Sequence, residues 1–150
     1  MLAFDIMRAL LILISATSAS IAAAQSDFAG LDRDGDGYLS RIEVAPVQEI
    51  ARRFAQFDLD RDRRLSLPEF LAAREEEARR AERDAALTAR VKEALGTASG
   101  LHAKAIAVEA YEGRVQLSGF VPVADMASRA GRLVAGVSGV RTVHNNITVK

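Results

Sequence analysis

The chain has 150 residues and contains no cysteine, no tryptophan, only two histidines and only three prolines. Without cysteine there is no disulfide, no cysteine-ligated zinc, no iron–sulfur cluster, no thiol nucleophile and no cysteine-anchored lipid. A thiol-free chain works in either redox compartment, so the absence does not place it. Two histidines argue against a poly-histidine metal site. An excess of positive charge is missing too. Lysine plus arginine is 20 and aspartate plus glutamate is 20. A nucleic-acid binder usually carries a net basic footprint that displaces counterions from phosphates. No Gly-x-Ser-x-Gly, phosphate loop or paired catalytic carboxylates occur, and no enzymatic activity is expected.

A long hydrophobic run is also lacking. Residues Ala9–Ala24 are apolar or small, but the strongly apolar core, Ala9–Ile14, is short. A membrane helix would need ~20 strongly apolar residues. Ala22-Ala23-Ala24 before Gln25 fits the small residues of a signal-peptidase cut, so residues 1–24 are expected to be a secretory signal peptide. Asp5 is disfavoured ahead of such a core, and Met7-Arg8 would make a cleaner start. Removal of residues 1–24 takes away Asp5 and Arg8 and leaves the charge balanced.

What is present begins with Asp32-Arg-Asp34-Gly-Asp36-Gly37-Tyr38-Leu39-Ser40-Arg-Ile-Glu43. Oxygen donors fall at loop positions 1, 3, 5, 9 and 12, with Gly37 at position 6 for the sharp bend. Calcium is a hard cation that takes six to eight oxygens. Alternate aspartates on a tight turn can aim Asp32, Asp34 and Asp36 at one centre. Tyr38 would offer its main-chain carbonyl, Ser40 would act through water, and Glu43 can bind with both oxygens. Leu39 should face a core. The stretch resembles an EF-hand loop at each diagnostic position. Phe28 and Leu31 precede it as the packing face of a short entering helix.

A second copy runs Asp58-Leu-Asp60-Arg-Asp62-Arg63-Arg64-Leu65-Ser66-Leu-Pro-Glu69. Asp58, Asp60, Asp62, the Arg64 carbonyl, Ser66 and Glu69 fill the same roles, and Phe54 and Phe57 repeat the preceding apolar pair. The loops are expected to pair through short strands at Leu39 and Leu65. Arg63 replaces the position-6 glycine, and a left-handed non-glycine residue costs about 1–2 kcal/mol. Three arginines also stand beside the acids, so the second site should be the weaker. The spacing from Asp32 to Asp58 is tight, which favours a compact pair. Pro46 between the loops should end the first exiting helix or start the next. A plainer reading exists for part of the pattern: Ser40/Glu43 and Ser66/Glu69 are each a helix-capping box. Capping does not account for three alternating aspartates found twice.

From Glu69 to Leu95 there is no glycine or proline, and helix formers dominate. Glu75/Arg79 and Glu76/Arg80 stand at i,i+4 with the acid first. A continuous helix here would be roughly 40 Å long, with Gly96 as its stop. The charge run reads most simply as a solvated spacer. The sharper alternative is that calcium repositions this helix and moves the second half of the chain with it.

Beyond it, Leu87, Val91, Ala94 and Leu95 recur on one helix face. Ile106, Val108 and Ala110 alternate, Glu112-Gly113 turns, and Val115, Leu117, Gly119 and Val121 alternate again, which predicts a hairpin. Pro122 is expected to open a helix with the face Met126, Ala130, Leu133, Val134 and Val137, ended by Gly136 and Gly139. Val143, Ile147 and Val149 alternate in a last strand, with His144 on its solvated side; His102 lies in a turn before the first strand.

Gly113-Arg-Val115-Gln-Leu117-Ser118-Gly119-Phe-Val121, a helix, then Gly139-Val140-Arg-Thr-Val143-His-Asn145 resembles the BON domain, the bacterial osmotically inducible and nodulation module. The resemblance covers residues 84–150. It implies a periplasmic or membrane-associated role, contact with phospholipid or an envelope protein, and no catalysis. Osmotic-stress relatives often carry two such domains, and this chain has one.

The expected fold class is therefore α+β: a helical EF-hand pair (25–73), a charged helical linker (74–83) and a small α-β-β-α-β sandwich (84–150). The expected function is a periplasmic or secreted calcium-binding adaptor that touches the envelope through phospholipid or a protein. The alternative is a structural stress protein that calcium merely staples.

Overall fold

A computed structural model describes residues 22–150 of the chain. The expected signal peptide lies, except for Ala22–Ala24, outside the described residues. The described chain is α+β and divides into two compact units, the first ending at Ala78 and the second running Arg79–Lys150. The division falls within the 74–83 stretch read as a linker. Among the described residues no helix is long and apolar enough to cross a membrane.

In the N-terminal unit, residues 22–31 are helical (α1). Strand β1 (Tyr38–Ser40), helices α2 (Gln48–Arg52) and α3 (Phe54–Phe57), and strand β2 (Arg64–Ser66) come next. Helix α4 (Leu67–Thr97) then begins directly after β2. The strands form a two-stranded antiparallel ribbon in the register Tyr38↔Ser66, Leu39↔Leu65 and Ser40↔Arg64. Leu39 and Leu65 are both fully buried, and Phe28, Val44, Ile50, Phe54, Phe70 and Ala73 complete their core. The Phe28 and Phe70 rings meet edge to face at 5.7 Å, the arrangement that the ring quadrupoles favour. Arg74 closes the rim with a 2.8 Å bond to Asp27.

The first loop has no full exiting helix. After β1 the chain makes one turn, in which the Val44 N–H donates to the Ser40 carbonyl at 3.0 Å, and then breaks. Pro46 is the cause: it lacks an N–H and disfavours helical geometry at Ala45. Helix resumes only at Gln48.

In the C-terminal unit, the later turns of α4 present Leu87, Val91 and Leu95 to a second core. A short 3-10 turn at Ala103–Ala105 leads into β3 (Ile106–Tyr111), β4 (Arg114–Val121), α5 (Ala124–Ala135) and β5 (Thr142–Val149). The sheet order is β3-β4-β5, with β3 and β4 antiparallel and β4 and β5 parallel. The parallel pair needs a crossover, and α5 supplies it. Val115, Leu117 and Val121 of β4, Ile106 and Val108 of β3, and Ala130 and Val134 of α5 fill the core.

Two boundaries and one burial pattern differ from the sequence expectation. Gly96 does not stop α4, which runs on to Thr97; the left-handed residue that turns the chain is Gly100, φ +76°. Pro122 does not open α5, because Val123 is extended and the helix begins at Ala124. Leu133 and Val149 lie largely outside the core, at 36% and 48% exposure. Leu133 turns outward beside the buried Val134, and β5 is an edge strand.

Two backbone features hold the hairpin. Glu112 and Gly113 both have positive φ, 51° and 79°, the requirement of a two-residue turn that matches strand twist. Glu112 is not a glycine, and its conformation is supported from α4. Its N–H donates to Asp84 Oδ1 at 2.8 Å, and its carboxylate meets the buried Arg80 Nε at 3.3 Å. Gly119 has φ +136°, and a Cβ there would stand 2.0 Å from the Ala105 carbonyl oxygen. The backbone entering β3 thus fills the place of a β4 side chain.

Gly119→Ala should therefore destabilise the C-terminal unit by about 2 kcal/mol or more. Gly96→Ala, with open space at its Cβ and no positive φ, should stabilise it by about 0.4–1 kcal/mol. Urea unfolding of both variants checks the opposite signs.

Candidate metal centre

Each loop is a ring of main-chain N–H groups turned toward aspartates. In the first, Asp32 accepts from Gly35 at 2.9 Å and Gly37 at 3.0 Å, Asp34 accepts from Asp36 at 3.2 Å, and Asp36 accepts from Tyr38 at 2.9 Å. Glu43 spans the loop ends. Its Oε1 takes the Arg33 N–H at 2.9 Å, and its Oε2 takes the Ser40 N–H at 2.9 Å and the Ser40 hydroxyl at 2.7 Å. The Ser40 hydroxyl, followed by the Ser40 and Arg33 N–H groups, holds the Glu43 carboxyl down at about 2 against the opposing effect of burial. Glu43 is therefore ionised at any physiological pH.

The second loop repeats this wiring except at Asp58 Oδ1, which among the described residues receives no N–H as Asp32 Oδ1 does from Gly35. Asp58 accepts from Arg63 at 3.1 Å, Asp60 from Asp62 at 3.1 Å, and Asp62 from Arg64 at 2.7 Å. Glu69 takes the Leu59 N–H at 2.8 Å, the Ser66 N–H at 2.8 Å and the Ser66 hydroxyl at 2.6 Å. Burial is the largest single effect on Glu69 and pushes its carboxyl up. The hydrogen bonds from Ser66, Leu59 and the Asp60 main chain together outweigh it and leave the group below its usual range.

The backbone explains how two such different sequences trace one path. Gly35 and Gly37 have φ of 71° and 83°; Arg61 and Arg63, at the matching positions, have φ of 61° and 71°. The strain expected at Arg63 is present. The equal strain at Arg61 went unseen in the sequence, although Gly35 at the matching position was the available signal.

The side chains converge unevenly. Asp32, Asp34 and Asp36 each bring a carboxylate oxygen within 4.8 Å of one another, and so do Asp58, Asp60 and Glu69. Glu43 and Asp62 stand outside these groups. Glu43 and Glu69 also make the Ser-x-x-Glu bonds of a capping box, so the plainer reading of these pairs holds for the geometry seen here. Capping leaves two facts unexplained. Three carboxylates held this closely repel one another, and Asp58 Oδ1 is buried with no hydrogen-bond partner among the described residues. A buried acceptor without a partner costs about 1–3 kcal/mol. A hard cation would answer both, and the all-oxygen donor set suits calcium.

One site residue makes a contact beyond its expected role. Arg64, expected to offer its carbonyl, also sends its side chain across the ribbon, where it pairs with Asp36 at 2.8 Å. Only the strand register could reveal that. His102 and His144 are both exposed, and Thr142, Asn146 and Thr148 share the solvated side of β5 with His144. Asn145 points the other way. Its Nδ2 donates to the Ala127 carbonyl at 2.8 Å, and it lies against Gly131, where a Cβ would stand 2.9 Å from it.

In a comparison with known families, the model of the BON domain matches residues 83–150. A BON domain forms the C-terminal part of this chain. The BON family is associated with membrane- and envelope-related stress proteins. Its match begins after both acidic loops, so it bears on the C-terminal unit alone. No curated protein matches the chain. Within the BON domain, Gly113 serves the hairpin turn and Gly119 the close contact with the Ala105 carbonyl.

Arg63→Gly should remove about 1–2 kcal/mol of left-handed strain, against about 0.4–1 kcal/mol of added unfolded-chain entropy. The expected net gain is about 0.5–1 kcal/mol in chelator, with a similar gain for Arg61→Gly. Urea midpoints check this; a loss in both would show that the arginine side chains contribute more than their backbone costs.

Proposed function

We propose that the N-terminal unit is a calcium-binding EF-hand pair, and that the chain is a non-catalytic, secreted or periplasmic adaptor whose BON domain contacts the envelope. The observation that carries the calcium reading is Asp58 Oδ1, a buried acceptor with no partner among the described residues, beside Asp60 and Glu69. Supporting it, Asp32, Asp34 and Asp36 converge in the same way one loop earlier. Glu43 and Glu69 would enter the coordination sphere by exchanging their loop-closing hydrogen bonds for the metal. The Tyr38 and Arg64 carbonyls, with Ser40 and Ser66 through water, would complete the two sites.

A second reading is favoured by a different observation. Both loops are already closed through Ser40–Glu43 and Ser66–Glu69, and the ribbon between them is complete. Calcium would then act as a staple that stabilises the folded state by mass action. The BON family supports envelope contact on either reading. Because the formal net charge of the whole chain is zero, long-range steering to anionic lipid is weak. Docking therefore rests on a local patch or on calcium bridging.

Calorimetric titration with calcium should show two events. Asp32→Ala or Glu43→Ala should abolish the tighter one, and Arg63→Gly should tighten the weaker. An unchanged titration for Asp32→Ala would overturn the assignment of the first loop. Co-sedimentation with anionic liposomes, with calcium and with chelator, separates the two readings. Binding only with calcium supports a regulated adaptor. Equal binding in both leaves calcium as a staple, and binding in neither moves the partner from lipid to protein or peptidoglycan.

A further inference from the structure

We propose that Arg64 sets the calcium affinity of the first loop from its place in the second. The inference rests on the calcium-binding reading of the N-terminal unit. Arg64 belongs to both loops: its main chain lies in the second, as a carbonyl donor, and its side chain reaches the first. Its Nη1 stands 2.8 Å from Asp36 Oδ2, and its Cζ lies 5.8 Å from the Tyr38 ring centroid. The Tyr38 N–H holds the other oxygen of Asp36 at 2.9 Å. Both oxygens of one candidate ligand are thus engaged, one of them by a full positive charge.

The ribbon imposes this arrangement. Arg64 pairs with Ser40 in register, and its long side chain extends diagonally to Tyr38 and on to Asp36. Diagonal neighbours across an antiparallel pair are within reach of aromatic and long side chains. The matching position in the first loop is Tyr38, which has no charge to return, so the second loop receives no equivalent cation from the first.

A divalent ion among Asp32, Asp34 and Asp36 must share Asp36 with this guanidinium. By Coulomb's law a unit cation about 6 Å from a divalent ion in water weakens its binding on the order of tenfold. The Arg64 and Asp36 side chains are 52% and 36% exposed, so salt screens the effect. Arg64 therefore acts as a brake that holds the first loop below the affinity its own ligands would give.

The test is a calcium titration of the isotopically labelled full chain. The Gly37 and Tyr38 amides report the first loop, and the Arg63 and Ser66 amides report the second. Arg64→Gln keeps the main-chain carbonyl and removes the charge; Arg64→Lys keeps both. In low salt, Arg64→Gln should lower the half-saturation of the first loop by roughly three- to tenfold, and the gap should narrow near 1 M KCl. Arg64→Lys should stay close to the parent. Unchanged or weaker binding at the first loop in Arg64→Gln, with calcium still bound, overturns the brake and leaves the calcium reading standing. A parent chain whose Gly37 and Tyr38 amides do not respond to calcium overturns both.

Discussion

The pairing of Leu39 with Leu65 is the contact on which the N-terminal unit depends. Two three-residue strands are too short to be stable alone. They persist because both leucines are fully buried against Phe28, Phe54 and Phe70. That single rung sets the two acidic loops side by side, fixes Ser40 opposite Arg64, and brings the Arg64 side chain across to Asp36. A slip of either strand by one residue would turn its leucine to solvent and undo all three relations.

Around that ribbon the loops concentrate charge at a cost. Aspartates converge within 4.8 Å, arginines occupy left-handed backbone, and Asp58 has a buried oxygen with no donor among the described residues. The calcium ion proposed above would supply the attraction that these groups lack. The two loops reach the same backbone by different means, glycine in one and strained arginine in the other. Their expected difference in affinity comes from that contrast.

The C-terminal unit is built on apolar alternation and close backbone approach. Residues of α4 take part in both cores: Phe70 and Ala73 in one, Leu87, Val91 and Leu95 in the other. The BON domain spends its special residues on structure. Gly119 yields space to the Ala105 carbonyl, and Glu112 holds a left-handed turn with help from Asp84 and Arg80. Its outer strand face on β5 is polar, and His102 and His144 are both exposed.

The sequence by itself determined the local features. The alternation of Val115, Leu117 and Val121, the helical spacing of Leu87, Val91 and Leu95, and the Glu112-Gly113 turn each depend on neighbours a few residues apart, so they were legible without a fold. The loop hydrogen bonds are equally local, since an aspartate bonds N–H groups two to five residues ahead of it, but the spacing of oxygen donors does not by itself specify them. The ends of α4 and α5 were less so, because Gly96 and Pro122 are weak punctuation that packing overrides. Tertiary structure alone decided the sheet order β3-β4-β5, the Asp84 and Arg80 support of Glu112, the burial of Asp58 Oδ1 and the reach of Arg64 to Asp36. Each of these joins residues distant in the chain, and their meeting is set by strand register and by the cores that fix it.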